Sequence, residues 1–134
     1  MKAKLAMLVM GLLLAAPMFA HHSFSAEFDA TKPVSLKGTV TKVDWLNPHI
    51  WIYMDVKDAS GRVAHWQCEG GAPNSLTRNG WTKNNLKEGD AIAIDGTLAK
   101  DASNTCNASS VALPDGRRVF AGSSNPDLAT PGAK

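Results

Sequence analysis

Hydrophobic and polar positions alternate most regularly between His49 and Lys57. Ile50, Ile52, Met54 and Val56 fall on one side, and His49, Trp51, Tyr53 and Asp55 on the other. A period of two is the spacing of a strand with one buried face. The same reading extends outward from this segment. Val34–Trp45 places Val34, Leu36, Gly38 and Val40 on one face, but Val43 and Trp45 have the opposite parity. A change of face inside one long strand predicts a β-bulge near Thr41–Lys42. Asn47-Pro48 closes that strand as a turn. The loop Asp58-Ala-Ser-Gly61 predicts a hairpin into a third strand, Arg62–Glu69, where Ala64, Trp66 and Cys68 alternate with Val63, His65, Gln67 and Glu69.

Gly70-Gly71-Ala72-Pro73 then interrupts the strands. Asn74 reads as the N-cap of a short helix, with Gly80 just beyond its end, and Thr82 as the cap of a further turn towards Leu86. A fourth strand, Ala91–Leu98, points Ile92, Ile94 and Leu98 inward, and a fifth runs through Thr105–Leu113. Pro114-Asp115-Gly116 turns into a last short strand, Arg117–Phe120. The fold class read from this order is all-β with one short helix. Three strands, a helical connection and two more strands match a small five- to six-stranded Greek-key barrel of the OB-fold kind. A small β-sandwich of other topology is the rival.

The two ends read differently. Lys2 and Lys4 precede an unbroken apolar run, Leu5–Ala16, followed by Pro17 and the small residue Ala20. That is a cleavable secretory signal over residues 1–20, too short for a membrane span. No second apolar run follows, so the mature chain carries no span. Residues 21–33 read as a lead-in, 34–122 as the β domain, and the small, polar, proline-bearing 123–134 as a disordered tail. Export changes the charge balance. The whole chain has 14 Lys+Arg against 12 Asp+Glu; Lys2 and Lys4 leave with the signal and no acidic residue does. A formally neutral mature domain lacks the positive footprint that nucleic-acid binding relies on.

At this point HHSFSAEFD, KPVSLKGTVTKVDWLNPHIWIYMDVKD, EGGAPNSLTRNGWTKNNLKEGD and LPDGRRVFAGSS together resemble an uncharacterised family of exported bacterial proteins, domain-of-unknown-function family 6152. NPH, the GxPN turn and GWT are the most specific pieces. The resemblance implies export and one compact β domain, and brings no activity with it. Cys68 and Cys106 depart from the family's usual pattern, which implies an added staple rather than a shared reactive site.

Three sets of residues could carry chemistry. With cleavage after Ala20, His21 becomes the amino terminus, offering an α-amine and an imidazole; His22 adds a third nitrogen and His49 could complete the set. Nitrogen-rich sets of this kind suit Cu(II), Ni(II) or Zn(II). The plainer alternative leaves both terminal histidines in solvent. The second set is the outer face formed by Trp51, Tyr53, His65 and Gln67, where a protein, glycan or small apolar ligand could stack. The alternative there is that the lead-in or the last strand covers those rings. The third is Cys68 with Cys106: neighbouring third and fifth strands would allow a disulfide, which ranks ahead of a metal-thiolate or two separate thiols in an oxidising compartment. Trp45, Trp66 and Trp81 read as packing anchors. Asp44, Glu69 and Asp95 are carboxylates with no partner at a meaningful spacing. The chain carries no GxSxG, HExxH, phosphate-cradling loop or CxxC, so it reads as a binding domain rather than an enzyme. An enzyme of unrecognised type is the weakest of the three readings.

Overall fold

A computed structural model describes residues 24–122. The expected signal, His21, His22 and the tail 123–134 lie outside the described residues. The chain begins with a single helical turn, α1 (Phe24–Glu27), and continues through β1 (Phe28–Asp44), β2 (Trp51–Lys57), β3 (Val63–Glu69), α2 (Pro73–Arg78), β4 (Ala91–Ala99), β5 (Thr105–Ala112) and β6 (Arg118–Phe120).

The strands form one six-stranded sheet in the order β3-β2-β1-β4-β5-β6, antiparallel throughout except that β3 also pairs with β5 in parallel. The ladder β1–β2–β3–β5–β4 therefore returns to β1. The five residues expected to fill the interior, Ile50, Ile52, Met54, Ile92 and Ile94, are all buried, with Leu36, Val40, Val111 and Trp81 beside them. The bulge in β1 falls where the parity change requires it. Val40 pairs with Met54 and Lys42 with Tyr53, leaving Thr41 as the extra residue. Gly38 is needed where β1 crosses β2, because a Cβ there would stand 2.2 Å from the Asp55 carbonyl oxygen.

Several expectations are corrected. The first strand starts earlier than Val34: β1 begins at Phe28, whose buried ring stacks on Phe24 at 5.5 Å. The Lys100 N–H donates to the Glu27 carbonyl at 2.9 Å, tying α1 to the end of β4. Leu98 is only partly buried and lies outside the core, whereas Ala99 is buried. A bulge at Ser109 lies alongside: Asp95 pairs with Ser110 and Gly96 with Ala108, so β5 changes face there. Asn74 does not cap α2. The N-cap is Ala72 without a side-chain bond, and Pro73 takes the first helical position, where its missing N–H costs nothing.

The end of α2 follows the expected pattern. Gly80 has φ +91°, its N–H donates to the Thr77 carbonyl, and the Trp81 N–H donates to the Leu76 carbonyl at 3.0 Å. This paired arrangement stops the helix and brings the buried side chains of Leu76 and Trp81 together. Trp45 packs against Trp81 with tilted rings 6.1 Å apart, and Leu76 of the short helix joins Trp81 in the core. Cys68 and Cys106, partners in the β3–β5 register, form a disulfide with Cα atoms 4.5 Å apart.

Candidate functional site

The hairpin register decides what surrounds Trp51. β2 and β3 pair from Lys57↔Val63 through Tyr53↔Gln67 to Trp51↔Glu69, so residues of one parity line up on the outer face. His49 lies just ahead of β2, after the Asn47–Pro48 turn, rather than inside the strand. Its parity matches that of Trp51, and its Nδ1 pairs with the Glu69 carboxylate. Glu69 is 7% exposed. Burial pushes its carboxyl above the usual range; the His49 charge opposes that shift and Glu27 adds to it. A carboxylate on Nδ1 engages that ring nitrogen and leaves Nε2 outside the pair.

The expected outer face divides into two parts. Tyr53 lies beneath the Lys42 ammonium, 5.1 Å from the ring centre, and Lys42 also reaches Asp44 at 2.8 Å. His65 is exposed, with its Nδ1 2.6 Å from Asp55 Oδ1. Tyr53 sits under a cation and His65 in a surface ion pair, and neither lines the cavity beside Trp51. Trp51 and Gln67 do. Together with Glu27, Phe28, Ser103 and Thr105 they surround a semi-open cavity of about 550 Å³. One wall is α1 with the start of β1, so the lead-in flanks the Trp51 ring rather than sealing it. The β4–β5 loop also lines the cavity, and there the Asp101 carboxylate accepts the Ser103 N–H at 2.9 Å. Gln67 Nε2 donates to Thr105 Oγ1 at 3.1 Å, and Ser103 Oγ donates to the same oxygen at 2.9 Å. The Lys100 ammonium, also at the rim, donates to the Ser25 carbonyl at 2.5 Å. The disulfide stands directly behind this wall, one residue along from both Gln67 and Thr105.

Of the predicted metal set, only His49 lies within the described residues, and among these no three His, Cys, Asp or Glu side chains come together as a metal site. Asp44 is engaged by Lys42, as noted. Asp95 accepts from Ser35 Oγ at 2.7 Å and pairs with Arg118, clipping β1, β4 and β6 together. The Ser35 bond foremost, with help from Arg118, holds its carboxyl below the ordinary aspartate range.

The profile of a family of unknown function, DUF6152, matches residues 10–108. The chain belongs to that family. No curated protein matches it. Among solved structures, a chain in the crystal structure of a complex of TiaS with its tRNA and ATP is similar in part. It is 20% identical with a TM-score of 0.47, over 64% of this chain and 19% of that one, so the present chain spans less than a fifth of its length. Among the described residues of this DUF6152 chain, no helix is long and apolar enough to cross a membrane.

Sequence reasoning left Glu69 without a partner. The signal was available in the hairpin: counting back from the Asp58–Gly61 loop places Glu69 opposite Trp51, with His49 one same-face position further on. The part played by α1 and the β4–β5 loop had no such signal, because neither segment carries a period.

Proposed function

We propose that this chain is an exported binding domain of OB-fold type that takes Cu(II), or a similar metal, through His21, His22 and His49. The strand order β1–β2–β3–β5–β4, with α2 between β3 and β4, supports the OB-type reading. The observation that carries the metal reading is the His49–Glu69 pair. A buried carboxylate on Nδ1 is the usual support behind a coordinating imidazole. His21 and His22 stand three and two residues before Phe24, within about 11 Å of it at full chain extension. Both are therefore on a short tether to the end of the sheet that carries His49 and Glu69. The export signal makes His21 the free amino terminus, and its amine loses a proton readily near neutrality when a metal binds.

The experiment is a Cu(II) titration of the mature protein read by electron paramagnetic resonance, after an intact-mass measurement of the first residue. Nitrogen hyperfine structure with about 10-fold or greater weakening in His49→Ala, and collapse in His21→Ala, is the expected outcome. Binding no tighter than that of a peptide with the same first residues would end the metal reading.

A second reading has its own support. The Trp51/Gln67 cavity, at about 550 Å³, is in the range that small-molecule sites occupy, roughly 300–1,000 Å³. The domain on this reading is a module for a small ligand, glycan or protein segment held against Trp51.

A further inference from the structure

We infer that the cavity between α1, Trp51 and the β4–β5 loop is a subsite for one neutral sugar unit, with the indole as stacking wall and Gln67 and Thr105 as the hydroxyl-reading pair. The inference rests on the second reading above and gives its ligand a chemical class. Three observations converge on it.

The first is the ring. Trp51 is half-buried and lines the cavity, and the buried Phe28 ring lies at its base among the lining residues. A pyranose has one face of C–H groups that needs an apolar wall of this size, and its hydroxyls leave the rest of its surface polar.

The second is the hydrogen-bonding state of Gln67 and Thr105. Thr105 Oγ1 accepts from both Gln67 Nε2 and Ser103 Oγ. Both of its lone pairs are used, so its hydroxyl proton is left as a donor. Gln67 uses one amide hydrogen in that bond; its carbonyl oxygen and second hydrogen have no protein partner among the described residues. A donor and an acceptor thus stand side by side, held in place by each other and backed by the Cys68–Cys106 bridge. Two adjacent hydroxyls of a sugar, one accepting and one donating, match that pair. A purely apolar ligand would leave both groups dry and unpaired, at a cost of about 1–3 kcal/mol for each.

The third is charge. The one ammonium of the lining, Lys100, is already engaged by the Ser25 carbonyl, and Asp101 places a carboxylate beside it. Phosphates, sulfates and sugar acids are therefore disfavoured, and neutral sugars fit.

The test uses the whole mature protein, labelled with nitrogen-15. It is titrated with cellobiose, N,N′-diacetylchitobiose and maltose as neutral probes, galacturonic acid as an anionic one, and the apolar dye anilinonaphthalene sulfonate as a separate arm. Saturable shifts of the Trp51 indole N–H and of the Gln67, Ser103 and Thr105 amides by at least one neutral sugar, at roughly millimolar affinity, are the expected result. Galacturonic acid should bind at least ~5-fold more weakly by charge repulsion. Trp51→Ala should abolish the amide shifts and exposed Gln67→Ala should weaken binding about 10-fold, while Tyr53→Phe, outside the cavity, leaves it unchanged. If the dye saturates these resonances and no sugar does, the sugar assignment is overturned and the ligand-face reading stands. If neither shifts them, both fall. Sugar binding that survives Trp51→Ala and Gln67→Ala also overturns the assignment.

Discussion

Reducing the Cys68–Cys106 bond tests how the sheet is closed. β3 and β5 meet over only three register pairs, Gln67↔Thr105, Cys68↔Cys106 and Glu69↔Asn107, so the disulfide sits at the middle of the narrowest seam. It closes a loop of 38 residues. The chain-entropy relation then gives about 13 cal/mol/K lost from the unfolded ensemble, or roughly 3.9 kcal/mol at 25 °C. With a urea slope of about 1.5 kcal/mol/M, the unfolding midpoint should fall by roughly 2.5 M on reduction. Small domains have only about 5–15 kcal/mol in total, so the reduced protein should stand near the edge of stability. Reduction keeps both sulfurs in place, which separates the tether from packing. The double variant Cys68→Ala/Cys106→Ala should cost about 1–2 kcal/mol more than reduction, because both side chains are fully buried and their removal leaves a void. Urea unfolding followed by tryptophan fluorescence measures all three forms. Reduced wild-type protein within about 1 kcal/mol of the oxidised form would refute the reasoning; it would mean that the β3–β5 ladder and the core alone hold the seam.

Other outcomes follow from single positions. Gly38→Ala should lose about 3 kcal/mol, because the added methyl would meet the Asp55 carbonyl oxygen at 2.2 Å and separate β1 from β2; a variant within about 0.5 kcal/mol of wild type by urea midpoint would contradict it. Stability should fall as pH drops below the ordinary aspartate value of 3.8. Asp29, Asp58, Asp95, Asp101 and Asp115 all have carboxyls held low, foremost by bonds from Thr31, Ser60, Ser35, Ser103 and the Arg117 backbone. A depressed folded pKa stabilises above the unfolded value, and the contribution disappears as those groups protonate. Glu69 acts in the opposite sense. Its carboxyl is raised by burial, so its contribution is complete below 4.5 and is lost as pH rises through the folded value. Glu69→Gln should therefore flatten the decline above pH 4.5 while leaving the acid limb intact, in urea midpoints measured across pH; a profile parallel to wild type in that upper range would count against the buried carboxylate.

Much of the architecture was legible because its signals are local. A strand with one buried face must repeat every two residues, so Ile50, Ile52 and Met54 declare their direction without reference to the rest of the chain. The parity change at Val40–Val43 declared the bulge at Thr41 in the same way. Gly80 and the Asp58–Gly61 and Pro114–Gly116 turns follow from backbone angles that few residues adopt. The site was legible only in pieces. Trp51 and Gln67 were placed on one outer face, and there the alternation rule stopped, since it ranks neighbours on a strand and knows nothing of what lies above them.

What the sequence by itself determined, then, was the set of strands and most of their inward faces, with a Cys68–Cys106 bridge ranked ahead of its alternatives. The fold decided the rest. Phe28 extends β1 backwards because its ring has Phe24 and the end of β4 to pack against. Glu69, polar and on the outward parity, is buried because the turn after Pro48 returns His49 to it. A cavity forms at Trp51 because α1 and the β4–β5 loop, far apart along the chain, meet beside one ring, where the Lys100 N–H donates to the Glu27 carbonyl. Periodicity is a property of neighbours in sequence, whereas a site is made by segments that meet only after the sheet has closed, and that meeting is set by packing and register across the whole domain.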